Sequence, residues 1–143
     1  MSPLARIALA AAIAAACAPP GPALVFDTAR GAVRFTVEIS DTPATRERGL
    51  RGRAALAADA GMLFVWDEDT TASFWMKDTL IPLSIAFISA EGRVLRILEL
   101  EPCRTDPCPV YDAGVAYRTA LEVARGAFAA QGVRIGDRAR LVR

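Results

Sequence analysis

Between residues 74 and 88, two short apolar runs rich in aromatic or β-branched side chains are separated by a polar turn and Pro82. Such runs predict strands over 73–76 and 83–88, and a proline that cannot donate to a ladder belongs at an edge or at the start of the second strand. Side chains alternate across a strand, so Phe74 and Met76 share one face while Trp75 and Lys77 share the other. The first face is core. The second sets an indole beside the only lysine of the chain, and it admits two readings. In one, Trp75 lies in a second core layer and Lys77 extends to water, the usual fate of a large aromatic in a β-domain. In the other, Trp75 is an exposed stacking platform with a charged neighbour, suited to a sugar ring or an acidic ligand.

The rest of the chain reads as strands packed around this stretch. Residues 24–27 and 33–40 form a hairpin about Thr28-Ala29-Arg30-Gly31, and Val33, Phe35, Val37 and Ile39 alternate with polar residues, giving one buried and one wet face. Thr42-Pro43 supplies an N-cap and a proline at the first helical position, which predicts a short helix to about residue 49. Residues 62–66 are a continuous apolar run, as in a strand buried on both faces. Ala90-Glu91-Gly92 turns the chain into a strand over 93–100, a loop over 101–114 follows, and a strand spans 117–124. A short helix over 126–131 stops at Gly132, and 133–142 turns at Gly136-Asp137 into a last strand. Many short strands with brief helices predict a mainly β fold: an antiparallel β-sandwich or partly closed barrel with one or two short helices.

The N-terminus has a different character. Residues 7–16 are an apolar run after Arg6, followed by Cys17 and a Pro/Gly-rich stretch. This is the pattern of a secretory signal, with an h-region too short to span a bilayer. Ala14-Ala15-Ala16-Cys17 also resembles a bacterial lipobox, in which Cys17 is lipidated; simple cleavage after Ala16 and an uncleaved anchor are the alternatives. The expected organisation is a signal peptide over 1–16, a tether over 17–23 and a single domain over 24–143. The expected location is the periplasm, or the outer membrane as an anchored lipoprotein, with membrane contact only through the N-terminus.

Past residue 16 the Arg and Lys count equals the Asp and Glu count, 16 against 16, so no basic field is present to attract nucleic acid. The chain has no histidine, which removes Ser-His-Asp and Cys-His nucleophilic sites and the ordinary histidine-bearing zinc sites. Arg46, Arg48, Arg51 and Arg53 fall within eight residues. They read either as a solvated helix end paired with acids or, with Arg48 and Arg53 as contacts, as an anion site. Cys103 and Cys108 lie close together in a proline-stiffened loop, which in an exported chain indicates a structural disulfide rather than a redox pair or a zinc site. Glu101, Asp106 and Asp112 match no calcium loop and read as solvated acids. No metal or cofactor is expected.

The run Phe74-Trp75-Met76-Lys77-Asp78-Thr79-Leu80-Ile81-Pro82-Leu83 is accompanied by Arg48-Gly49-Leu50, Gly61-Met62-Leu63-Phe64, residues 122–126, Ile135-Gly136-Asp137 and Asp106-Pro107-Cys108-Pro109. Together these resemble the domain of unknown function 192 family over nearly the whole of the expected domain. The resemblance implies a mainly β sandwich of jelly-roll type with little helix, and no established activity. Asp78 stands where the family more often has Asn, Ser84 where Asp is common, and Arg51 where Met usually follows the Gly-Leu pair.

Three functions compete. The first is a non-catalytic ligand-binding or accessory module of the cell envelope, for a small molecule or glycan, with Trp75, Lys77, Asp78 and Thr79 as ligand contacts. The second is a structural or assembly partner of an envelope protein. The last is an enzyme using Lys77, Asp78 and nearby carboxylates, which needs a lysine in a closed pocket.

Overall fold

The computed structural model describes residues 20–143. The signal segment over 1–16, Cys17 and the first part of the tether lie outside the described residues. The elements run β1 (Ala23–Thr28), β2 (Gly31–Ser40), α1 (Pro43–Arg48), β3 (Ala60–Thr70), β4 (Phe74–Trp75), β5 (Leu83–Ile88), β6 (Val94–Leu100), β7 (Val110–Tyr111), β8 (Tyr117–Ala124), α2 (Ala127–Gln131) and β9 (Arg138–Val142). The fold is mainly β with two short helices.

Seven strands form one sheet in the order β6-β5-β8-β3-β2-β1-β9, and β4 pairs with β7 in a separate ribbon. The sheet curls so that the starts of its two edge strands touch. Arg93 bridges Arg138, the Ala139 amide donates to the Gly92 carbonyl at 2.7 Å, and the Val94 amide donates to the Asp137 carbonyl at 2.9 Å. The strands are therefore gathered in one curled, half-barrel sheet instead of two facing sheets. The expectation of a purely antiparallel sheet is corrected at one pair, because β2 and β3 run parallel, with Thr36 opposite Ala60 and Ser40 opposite Phe64. A parallel pair needs a crossover, and α1 with the loop behind it supplies one.

Strand periodicity divides the apolar residues into two cores on opposite faces. The concave face holds Phe26, Phe35, Leu63, Ile88, Leu121 and Val123, capped by Phe128 of α2. Phe26, Phe35 and Phe128 pack edge to face, with centroids 5.6 to 6.0 Å apart. The convex face holds Met62, Phe64, Leu83, Ile85, Phe87 and Ala120 under Leu50 and Met76. This outer core exists only because the loop after α1 and the β4–β7 ribbon lie over the sheet.

Local chemistry accounts for the elements. Thr42 caps α1 in a reciprocal capping box with Thr45, and Pro43 occupies the first turn. The strand expected over 62–66 extends to the whole of β3, and β7 falls inside the segment expected as loop. Gly92 is left-handed at φ 82°, and a Cβ built there would lie 2.3 Å from the Ala139 carbonyl oxygen. Gly92→Ala should therefore open the seam between the sheet edges and cost roughly 2 kcal/mol. Hydrogen exchange should show lost protection at the Ala139 and Val94 amides; unchanged protection would contradict the closure.

Candidate functional site

A cleft of about 280 Å³ opens on the convex side, between the end of α1 and the β4 segment. Its position follows from three local features. Gly49 ends α1 with its amide donating to the Thr45 carbonyl at 3.0 Å. Leu50, 2 % exposed, anchors the following loop in the outer core. The Gly52 amide then donates to the Asp78 carbonyl at 3.0 Å, tying this loop to the turn after β4.

The walls are aromatic and the rim is cationic. Phe64, Trp66, Phe74 and Trp75 line the cleft together with Arg46, Arg48 and Arg51. The Arg46 guanidinium lies 5.2 Å from the Trp66 ring centroid, and that of Arg51 lies 5.4 Å from the Trp75 centroid. Arg46 also donates through Nη1 to the Val65 carbonyl at 2.8 Å, so it belongs to the wall.

Glu122 of β8 lies in the floor, with 4 % of its surface exposed. It sits opposite Met62 on β3 and Ile85 on β5, both part of the outer core. Burial pushes its carboxyl up to about 8, and among the described residues no cation or hydrogen bond offsets that effect. At neutral pH the floor therefore carries an uncharged carboxylic acid, able both to donate and to accept. Thr79, 5 % exposed, lines the same cleft.

The residues singled out in the sequence separate into two groups. Trp75, Thr79 and Arg48 meet at the cleft. Trp75 is 50 % exposed, which corrects the reading that places it in a second core layer: β4 is two residues long and only its Phe74 side faces the sheet. Lys77, Asp78 and Arg53 serve other ends. Lys77 donates to Asp106 Oδ2 at 2.8 Å. Asp78, left-handed at φ 59°, holds the turn through its backbone, its amide donating to the Cys103 carbonyl at 3.0 Å. Arg53 forms a two-armed ion pair with Glu38, whose pKa is lowered chiefly by that hydrogen bond. Sequence reasoning missed Glu122, Trp66 and Arg51 as cleft residues. One signal was available: Glu122 is the sole acid in the otherwise apolar half of β8, Ala120 to Ala124.

The Cys103 and Cys108 sulfurs are at bonding distance, 2.19 Å. Cys103 is also stitched to the turn beside Trp75, its amide donating to the Met76 carbonyl at 3.2 Å. The disulfide loop thus braces the wall that carries Trp75. Among the described residues no group of three or more His, Cys, Asp or Glu is placed to hold a metal ion. Ser84, buried on β5, accepts from the Gly126 amide at 2.9 Å and donates to Glu99, so it positions the start of α2 and does not face the cleft.

Comparison with known proteins agrees with this architecture. The DUF192 family model, described as an uncharacterized ACR, matches residues 25–141. The chain belongs to this domain of unknown function 192 family. It is similar to a crystal structure from Sinorhizobium meliloti 1021 at 1.55 Å, described as a "putative transcription regulator", with 31 % identity and a TM-score of 0.77 over 86 % of this chain and 95 % of that one. It is also similar to a protein of unknown function from Novosphingobium aromaticivorans DSM 12444 at 1.22 Å, with 28 % identity and a TM-score of 0.77 over 82 % and 83 % of the two chains. No protein with a curated description matches.

Two outcomes follow. Between pH 4.5, its ordinary value, and about 8, Glu122 keeps a proton when folded that the unfolded chain releases, so rising pH destabilises the fold across that window. Denaturant titrations at both ends of the window should show the wild type losing on the order of 3 kcal/mol more than Glu122→Gln; parallel pH profiles would contradict the placement. Replacing Cys103 and Cys108 together by Ser should cost roughly 2 kcal/mol through loop entropy. Chemical quenchers should then reach Trp75 more readily, and an unchanged quenching constant would show that the loop does not brace the wall.

Proposed function

We propose that the chain is an exported, non-catalytic ligand-binding module of the cell envelope, and that its ligand is a small molecule seated in the cleft over Glu122. The observation that carries this reading is the carboxyl of Glu122, buried in the cleft floor with no charged partner among the described residues. Burying an unpaired polar group is unfavourable, and an apolar residue of similar size would fill the site at less cost. A group of this kind, beneath aromatic walls and beside Thr79, is suited to meeting a molecule from outside the chain.

Export is supported by the apolar segment after Arg6 and by a cysteine pair at bonding distance, since disulfides persist in oxidising compartments. The periplasm, or the outer membrane through a lipid on Cys17, is the location proposed. A carbohydrate fits the exposed indole of Trp75. The enzyme reading is weakened by Lys77, which pairs with Asp106 on the disulfide loop and does not line the cleft. The assembly-partner reading rests on a different observation: Trp75 and Val110 are cross-strand neighbours and are 50 % and 65 % exposed.

In a Trp66→Phe full chain, Trp75 is the only indole left. Titration with envelope glycans and small metabolites should give a saturable change in its emission, weakened about tenfold or more by Glu122→Leu. Absence of any binder that depends on Glu122, together with a stoichiometric protein partner protecting Trp75, would replace this reading with the assembly partner.

A further inference from the structure

We infer that the ligand of the cleft is an acidic sugar of about one ring, its carboxylate held at the rim by Arg48 and Arg51 and its hydroxyls hydrogen-bonded by Glu122 and Thr79. This rests on the proposed function and narrows it to a chemical class.

Size sets the first limit. At about 280 Å³ the cleft lies at the small end of ligand pockets, room for a single ring and not for a chain of them. Charge sets the second. Among the described residues three arginines line the cleft beside one surface acid, Glu47, and Glu122 is neutral near pH 7, so the local balance favours an anion. Arg46 is engaged by Val65 and Trp66. Arg48 is solvent-exposed, near enough to Glu38 to help lower that carboxyl's pKa, and Arg51 stacks on Trp75; among the described residues neither guanidinium donates a side-chain hydrogen bond. A planar guanidinium matches a carboxylate through paired hydrogen bonds.

The walls and floor decide what the anion is attached to. A bare inorganic anion would leave the exposed part of the Trp75 indole uncovered. A purely apolar acid would cover those rings but would bury the Glu122 carboxyl and the Thr79 hydroxyl unsatisfied. A sugar ring has both surfaces required: C–H faces that lie against an indole, and hydroxyls at its edge that exchange hydrogen bonds with a neutral acid and an alcohol. With the carboxylate at the rim, the protonated floor does not repel it.

The test is titration calorimetry of the full chain with glucuronate and galacturonate, against glucose, galactose and phenylacetate. The uronates should bind saturably and about tenfold or more tighter than the neutral sugars. Replacing Arg48 and Arg51 together by Gln should erase that preference, and added salt should weaken uronate binding. Glu122→Gln, which keeps a donor and an acceptor, should hold affinity within about threefold, whereas Glu122→Leu should lose it. Thermal melts verify that each variant is folded. Equal affinity for uronates and neutral sugars, or uronate binding indifferent to the arginine changes, overturns the inference. Tighter, Glu122-dependent binding of phenylacetate also overturns it while leaving the cleft a ligand site. Failure of every compound overturns the sugar-acid assignment, and the Trp75 titration then decides whether the cleft binds anything.

Discussion

Strand β8 lies between β3 and β5 and is covered on both faces, so each side chain on it must be apolar, small or supplied with a partner. Leu121 and Val123 satisfy this in the concave core and Ala120 in the convex one. Glu122 does not. The fold accommodates it in two ways: the carboxyl keeps its proton, and a cleft lies over it in place of further packing. Much of the remaining architecture follows from holding that cleft open. The loop after α1 is pinned by Leu50, and the β4 wall is braced through Cys103.

The cations of the cleft illustrate how position divides one residue type into separate roles. Arg53 is spent on Glu38, and Arg46 is fixed by a carbonyl and an indole. Arg48 and Arg51 remain at the rim, where a guanidinium retains its donors for something else. Lys77, the next cation along the chain's central stretch, lies just past the two-residue β4 and meets Asp106 on the disulfide loop. The two sides of β4 thus face different tasks: Phe74 and the following Met76 pack on the sheet, while Trp75 borders the cleft.

The strands were largely legible in the chain because their signal is local. Alternation in β2, the apolar run in β3 and the caps around α1 depend on neighbouring residues alone. What escaped depends on partners distant in sequence. The parallel pairing of β2 with β3 and the meeting of the sheet edges at Gly92 and Ala139 cannot be read from period or propensity. The site divides along the same line. Trp75 and Thr79 stood out because the motif containing them is compact, but Lys77 and Asp78 came with them and are not part of the cleft. Glu122 was passed over because an acid in a strand ordinarily faces water, and only the pairing of β8 on both sides shows that this one does not.

The central claim is that the cleft floor carries a neutral acid poised for a ligand, and its most direct test is a carbon-detected magnetic resonance titration of the Glu122 side-chain carboxyl. A midpoint near 8 is expected, with a resonance that moves when the cleft is occupied. A midpoint near the ordinary value of 4.5 would show a solvated carboxylate and would contradict the account.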